Sequence, residues 1–397
     1  MAKLQVIDEQ RDARVPFLRG MLTRSLQDAG LDFDAAYRLA TDIRDDLDDL
    51  EVITTRDLRA RIIEALGDEH SRKVLRRYRR KELYRENLQV VYSDGHSAPF
   101  SRNLHAQRLE TCALPRPKCN AIARLIHGQL VRAKQRRIST DELTALTYRT
   151  IVKELNEEYA DDYLIWNDFI DNDQPLLVLL GGVPGCGKSS VATDLANSLG
   201  IVRTQSTDML REVMRTLIPE RVSPLLHTSS FNAGAAVDRA ELNVVRDEEH
   251  LVYGFQRQCE LVEVACQAVL QRAVGERVSM IVEGVHIRPT LLQHIADADA
   301  VIVPCALCVL DKDALISRIK RRRESTRQRR AARYLKKIDD IWRLQSALLS
   351  EADNADIQIL NNIDREATVS EIIKTITATI AATYGKRRLA QLRANFR

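Results

Sequence analysis

Apolar runs of strand length alternate with amphipathic stretches of helical length through the second half of the chain. Leu176-Leu177-Val178-Leu179-Leu180 contains no polar position, as expected of a strand buried on both faces. Ser190 to Leu199 then reads as a helix and Ile201-Val202-Arg203-Thr204-Gln205 as a short second strand. A long helical pattern from Leu251 to Val274 precedes the strand pattern Val278-Ser279-Met280-Ile281-Val282. Further strand sequence follows from Ala300 to Leu310, interrupted at Pro304, and again at Asp356 to Leu360, before a closing helix from Val369 to Ala382. Strands separated by helices predict an α/β fold, a doubly wound parallel sheet, assigned here to residues 175–385.

Residues 1–170 are patterned differently and repeat internally. Leu4-Gln5-Val6-Ile7 recurs as Leu88-Gln89-Val90-Val91, an offset of 84 residues. Val15-Pro16-Phe17-Leu18-Arg19 recurs as Ala98-Pro99-Phe100-Ser101-Arg102, and Ile53-Thr54-Thr55-Arg56-Asp57-Leu58 as Ile138-Ser139-Thr140-Asp141-Glu142-Leu143. Each copy predicts a strand, a turn and three helices, the third opened by a Thr or Ser N-cap with an acidic residue soon after. Two small α-rich domains are therefore assigned, 1–85 and 86–160. Residues 161–174 are expected to form a linker packed by Tyr163, Trp166 and Phe169, and 386–397 a basic tail, frayed or docked as a helix.

Composition narrows the class without naming a chemistry. The chain has 397 residues, 45% of them hydrophobic and 29% charged, which is ordinary for a globular protein of two or three domains. The apolar run broken by Pro304 is too short to cross a bilayer, and the first five residues carry no apolar signal region. Seven scattered cysteines suit a reducing cytoplasm better than a disulfide framework. Cys305-x-x-Cys308 lies in strand sequence with no second pair to complete a metal site, so it is assigned to packing. A net charge of +4 argues against nucleic-acid binding by the chain as a whole.

The chemistry concentrates where the first strand ends. Gly182-Val183-Pro184-Gly185-Cys186-Gly187-Lys188-Ser189, followed by Ser190, has the spacing of a P-loop between a strand and a helix. Its glycines let consecutive backbone N–H groups curl around a polyphosphate, and the helix N-terminus adds a favourable dipole. Lys188 is expected to reach the β- and γ-phosphates of ATP and the Ser189 hydroxyl to bind Mg²⁺. Asp208 follows the second strand, where a carboxylate can take the proton of an acceptor hydroxyl, although a helix N-cap is the alternative. Glu283 ends the strand through Val282 and has the place of a carboxylate that holds Mg²⁺. His286 either touches substrate or caps that turn. Between Asp311 and Arg333 lie Arg318, Arg321, Arg322, Arg323, Arg327, Arg329, Arg330 and Arg333. Such a run suits a lid that neutralises a transferring phosphoryl group, Arg327 and Arg330 being the catalytic candidates. The absence of interleaved aromatics in the run speaks against a single-strand nucleic-acid surface.

Two resemblances add to this reading. The order of elements in each N-terminal copy resembles the ATP-cone, a regulatory nucleotide-binding module. Where ATP-cones carry a basic Lys-Arg, this chain has Asp8-Glu9 and Tyr92-Ser93. An ATP sensor and a scaffold or homo-oligomerisation module both stay open. Gly181 to Ser190, Ser206-Thr207-Asp208-Met209-Leu210-Arg211-Glu212-Val213-Met214-Arg215, Leu226-His227-Thr228-Ser229-Ser230-Phe231 and Ile281-Val282-Glu283-Gly284-Val285-His286 together resemble the 2-phosphoglycerate kinases. That family places one ATP-cone ahead of a P-loop kinase domain, whereas this chain carries two. The resemblance implies an anionic small-molecule acceptor, a phosphorylated hydroxy acid, gripped by Arg211, His227, Ser229 and Ser230 under the arginine lid. Two other readings remain: a nucleotide-controlled switch with the repeats as partner-binding arms, and an RNA-directed kinase. Because all the strands of the P-loop domain follow residue 175, a fragment lacking residues 1–170 is expected to be soluble and to bind ATP.

Overall fold

The internal repeat of the sequence becomes a repeat of topology. The computed structural model describes residues 4–8, 13–69, 74–76, 78, 88–133, 135–243, 245–246, 249–324 and 328–396. In the first copy β1 (Gln5–Asp8) runs antiparallel to β2 (Ala13–Pro16) and parallel to β3 (Val52–Thr54). In the second, β4 (Gln89–Val91) runs antiparallel to β5 (Ser97–Pro99) and parallel to β6 (Arg137–Ser139). Registers match as well, Val6 standing beside Ile53 and Val90 beside Ile138. Between the outer strands of the first copy lie α1 (Arg19–Ala29) and α2 (Phe33–Asp45), and α3 (Thr55–Glu69) follows β3. The second copy repeats this order with α4 (Arg102–Thr111), α5 (Arg116–Arg132) and α6 (Thr140–Glu154).

The expected acidic residue behind each Thr or Ser cap is present in both copies. At the start of α3 the Asp57 amide donates to Thr54 Oγ1 at 3.1 Å, and the Thr54 hydroxyl donates back to the Asp57 carboxylate at 2.9 Å. At the start of α6 the Glu142 amide donates to Ser139 Oγ at 3.1 Å, and the Ser139 amide donates to Glu142 Oε2 at 2.9 Å, a reciprocal capping box.

The chain divides into two units, Met1–Ser101 with His127–Leu143, and Arg102–Ile126 with Thr144–Arg397. The second copy is thus shared between them rather than forming a body of its own. In the first unit Leu22, Leu26, Leu39, Ile43, Ile53, Ile62 and Leu66 make one buried cluster.

The second unit is built on a five-stranded, wholly parallel sheet in the order β11-β10-β7-β9-β8. Its strands are β7 (Leu176–Gly181), β8 (Arg203–Ser206), β9 (Met280–Gly284), β10 (Val301–Cys308) and β11 (Gln358–Asn361). All six residues of β7 are buried, as its unbroken apolar run requires of a central strand. After β9 the chain crosses from one side of β7 to the other, so the crevice of this doubly wound sheet opens at the carboxyl end of β7. The helices that matter to that crevice are α8 (Lys188–Leu199), α9 (Thr207–Leu217), α10 (Pro224–His227), α12 (His250–Gly275), which follows the short α11 (Arg239–Leu242), and α13 (Pro289–Gln293). They are joined by α14 (Lys312–Glu324), α15 (Gln328–Lys336), α16 (Ile338–Asn354) and α17 (Arg365–Phe396), the last bent at Gly385.

Residues 161–174 depart from the expected linker. Glu157–Asp171 is a helix, α7, opened by Asn156, whose side chain accepts the Tyr159 amide at 3.0 Å. Tyr163, Trp166 and Phe169 belong to its buried face, and the Trp166 indole donates to Thr377 Oγ1 of α17 at 2.7 Å. The acidic residues of this helix have distant partners. Asp168 receives two hydrogen bonds from the Arg388 guanidinium, at 2.5 and 3.0 Å, and Asp161 pairs in the same way with Arg393. The basic tail is therefore docked, and the packing of the second unit reaches back before residue 175, so a fragment lacking residues 1–170 loses α7.

The Asp168–Arg388 pair is uneven: the Asp168 side chain is 8% exposed and that of Arg388 44%. Arg388→Ala leaves a buried carboxylate without its partner and is expected to destabilise by about 2 kcal/mol. Asp168→Ala leaves a cation that water can reach, and is expected to cost less than about 1 kcal/mol. Urea unfolding of the two variants measures the asymmetry; equal losses would contradict it.

Candidate active site

The loop from Gly182 to Ser189 is held open from behind. Gly182 and Gly187 have φ of 144° and 99°, and a Cβ on them would strike the Leu307 carbonyl and the Asn362 amide respectively. The Asn362 side chain donates to Cys186 O at 2.8 Å, and Arg318 Nη1 reaches the same carbonyl at 3.4 Å. Arg318 also donates through Nη2 to the carbonyls of Asn362 and Ile363, so the loop after β11 braces the P-loop. The Asn362 side chain thus touches the loop backbone.

Lys188 opens α8 and is buried, its ammonium donating to Val183 O at 3.0 Å. Ser189 donates to Glu283 Oε1 at 2.9 Å. Parallel pairing of β7 with β9, Leu180 beside Glu283, carries that carboxylate to the same end of the sheet as the loop. Ser206 stands beside Glu283 in the next strand and leads into α9, which places Asp208 in the helix's first turn, exposed to the cleft.

A cleft of about 1230 Å³ collects most of the expected residues. Pro184, Gly185, Gly187, Lys188, Ser189, Ser190 and Glu283 line one part, and Asp208, Arg211, Ser229 and Ser230 also line it. Val183 and Cys186 are buried beneath the loop. Arg211 is held by its Nη1, which donates to Leu226 O at 2.9 Å and Thr228 O at 3.0 Å, while its Nη2 lies 3.8 Å from Asp208. Its Nε is buried without a partner.

Two of the expected acceptor residues do not face the cleft. The His227 ring donates through Nε2 to Ile218 O at 2.7 Å, which ties α10 to the end of α9. His286 is 0% exposed, with Thr207 on one ring nitrogen and Gln258 and, at 3.5 Å, the Ser230 hydroxyl on the other. Burial, with help from Arg211 and Lys188 and against Asp208, lowers its pKa to about 4, so it is neutral at physiological pH. Arg327 lies outside the described residues, as does the Arg330 side chain, although the Arg330 backbone belongs to α15.

The structure adds to the cleft an arginine that the sequence reading passed over and sets part of the arginine run there. Arg215, one helical turn beyond Arg211, lines the cleft, and that i, i+4 spacing was visible in the sequence. Arg321, Arg333 and Tyr334 close it from α14 and α15. Arg333 lies over the Phe231 ring at 5.9 Å, and Tyr334 meets Phe231 edge-on at 5.6 Å, which seats α15 on the Ser230–Ala236 turn. Among the described residues no group of three or more His, Cys, Asp or Glu could hold a metal ion alone. Nor is any helix there long and apolar enough to cross a membrane.

No family model matches the chain. It is similar to the 2-phosphoglycerate kinase of Thermococcus kodakarensis, with 34% identity over 275 residues, covering 69% of this chain and 91% of that protein. The 2-phosphoglycerate kinases of Methanopyrus kandleri and Pyrococcus furiosus share 33% and 30% identity, over 76% and 77% of this chain and 90% and 98% of their own. Nearly whole relatives thus leave about a quarter of this chain unmatched. Among solved structures, a putative kinase from Chloroflexus aurantiacus is 17% identical, covering 52% of this chain and 98% of its own, with a TM-score of 0.29. A gluconokinase from Sinorhizobium meliloti is 14% identical, covering 55% and 97%, with a TM-score of 0.30.

Proposed function

The chain belongs to the 2-phosphoglycerate kinase family, and from that premise we propose that it transfers the γ-phosphoryl group of ATP to the free hydroxyl of 2-phosphoglycerate, giving 2,3-bisphosphoglycerate. The observation that carries the reading is Arg211, a guanidinium fixed by two carbonyls at the wall of the cleft that the P-loop lines. Held by neutral carbonyls and 3.8 Å from Asp208, this cation at the cleft wall suits an anionic partner, which the phosphate or carboxylate of the acceptor supplies.

In the reaction Asp208 accepts the proton of the acceptor hydroxyl as its oxygen attacks the γ-phosphorus and the bond to the β-phosphate oxygen breaks, releasing ADP. Lys188 turns from Val183 O toward the β- and γ-phosphates, and Arg321 and Arg333 add positive charge from the lid side. Ser189 and Glu283, a hydroxyl and a carboxylate 2.9 Å apart beside the P-loop, fit Mg²⁺ and would hold it, where it neutralises phosphate charge. The N-terminal copies we read as ATP-cone-like, with the acidic Asp8-Glu9 and neutral Tyr92-Ser93 favouring a scaffold over a phosphate-binding role.

ADP release across a panel of phosphorylated hydroxy acids and sugars tests the reading, 2-phosphoglycerate being the expected best acceptor. The two carboxylates are expected to behave differently in the same assay. Asp208→Asn lowers kcat with ATP binding kept, whereas Glu283→Gln moves the half-saturating Mg²⁺ concentration up about tenfold. Superimposable Mg²⁺ curves for wild type and Glu283→Gln would remove Glu283 from the metal site.

A further inference from the structure

Beneath the acceptor side of the cleft lies a file of side chains that no substrate reaches. Thr207 Oγ1 is 2.9 Å from His286 Nδ1, and His286 Nε2 is 3.2 Å from Gln258 Oε1. Gln258 Nε2 lies 2.6 Å from Leu225 O and 3.1 Å from Thr228 O. Thr207, His286 and Gln258 are each 0% exposed.

Chemistry fixes the direction of this file. Carbonyl oxygens only accept, so the Gln258 amide must turn its NH₂ toward Leu225 and Thr228 and its oxygen toward His286. That oxygen also only accepts, so the proton of the neutral imidazole sits on Nε2. Nδ1 is then bare and accepts from the Thr207 hydroxyl. Every bond points the same way, from the start of α9 to the loop before the Ser230–Ala236 turn.

The two ends of the file are the two halves of the acceptor site. Thr207 precedes Asp208, the proposed base. Thr228 O, held by Gln258, is also one of the two carbonyls that hold Arg211, the proposed anion ligand, and Ser229 and Ser230 follow it into the cleft. We infer that Thr207, His286 and Gln258 are positioning residues that set the acceptor loop in register with Asp208, and so govern affinity for the acceptor and not for the nucleotide. The inference rests on the kinase reading above and deepens it. It assigns His286 no contact with substrate.

The test uses the full-length chain, with initial rates measured against 2-phosphoglycerate and ATP in turn. Gln258→Met keeps the volume and removes the donors to both carbonyls; the acceptor KM is expected to rise about tenfold with the ATP KM within about twofold. Thr207→Val is expected to shift the acceptor KM in the same direction, and Thr207→Ser, which keeps the hydroxyl, to return it to within about threefold of wild type. Nitrogen-15 shifts of the imidazoles are expected to give His286 as the Nε2–H tautomer. Acceptor and ATP KM rising together, an unchanged acceptor KM, or an Nδ1–H tautomer would each overturn the inference. Should Gln258→Met not fold, the Thr207 pair makes the same comparison. A wild type that leaves 2-phosphoglycerate untouched overturns the kinase reading itself; one that turns it over while the variants keep its KM overturns the positioning role alone.

Discussion

Lys188→Ala is expected to lower turnover about a thousandfold while the fold persists. The ammonium is buried and donates to Val183 O at 3.0 Å, with Cys186 Sγ 4.0 Å away. Its removal leaves one loop carbonyl short of a donor, a loss of about 1 kcal/mol to stability. The loop keeps its other supports, Asn362 and Arg318 on Cys186 O. The catalytic loss is larger because the same charge meets the phosphates only as they transfer, in a site where neighbouring groups exclude water. Lys188→Arg is not expected to rescue it, since a planar guanidinium cannot replace a compact ammonium in a loop whose glycines leave no spare room. Single-turnover rates at saturating ATP decide the matter, and a Lys188→Ala rate within about tenfold of wild type would sink the P-loop assignment.

Acceptor choice carries the second large effect. The cleft offers Arg211, Arg215, Arg321 and Arg333 against the acidic side chains of Asp208, Glu212 and Glu283. A compact acceptor with more than one negative group can pair these cations, while glycerate leaves the phosphate partners unmatched. Two lost contacts of about 1.4 kcal/mol each make about a hundredfold, so 2-phosphoglycerate is expected to exceed glycerate in kcat/KM by at least that factor. Arg211→Met is expected to erase most of the difference, because the methionine fills the space without a donor. Competition between the two acceptors at saturating ATP measures the ratio. If glycerate or an uncharged polyol matches every phosphorylated candidate, the anion site is wrongly placed.

What the sequence made legible was local chemistry with a fixed spacing. The P-loop, its buried strand and the helix behind it share one unbroken pattern, and β9 ending in Glu283 reads in the same way. The repeat in residues 1–170 was legible because strand, cap and helix start recur together, down to the reciprocal bonds at Thr54 and Asp57 and at Ser139 and Glu142. Roles set by long-range contact were not legible. The partners of Asp161 and Asp168 could not be read locally because their arginines stand in the last dozen residues. His286 looked like a ligand because nothing in Glu283-Gly284-Val285-His286 reveals that Thr207 and Gln258 will occupy both ring nitrogens. His227 misled similarly, its ring nitrogen being taken by the carbonyl of Ile218 nine residues earlier.

The docked tail has a consequence for the order in which the protein can be made. Asp168 and Asp161 meet Arg388 and Arg393 across 220 and 232 residues, and Trp166 meets Thr377 across 211. At about 5–20 residues per second, a ribosome needs on the order of ten seconds or more to reach those partners after α7 has emerged. Over that interval Tyr163 already has Thr144 and Thr147 of α6 beside it, while Trp166, Asp161 and Asp168 lack the partners that α17 will bring. The three strands of the first copy's sheet all lie within the opening 54 residues. The nascent chain therefore passes through a stage in which its first sheet is paired while the nucleotide-binding sheet, whose last strand ends at Asn361, is still incomplete. In that stage α7 is the surface a chaperone would need to shield.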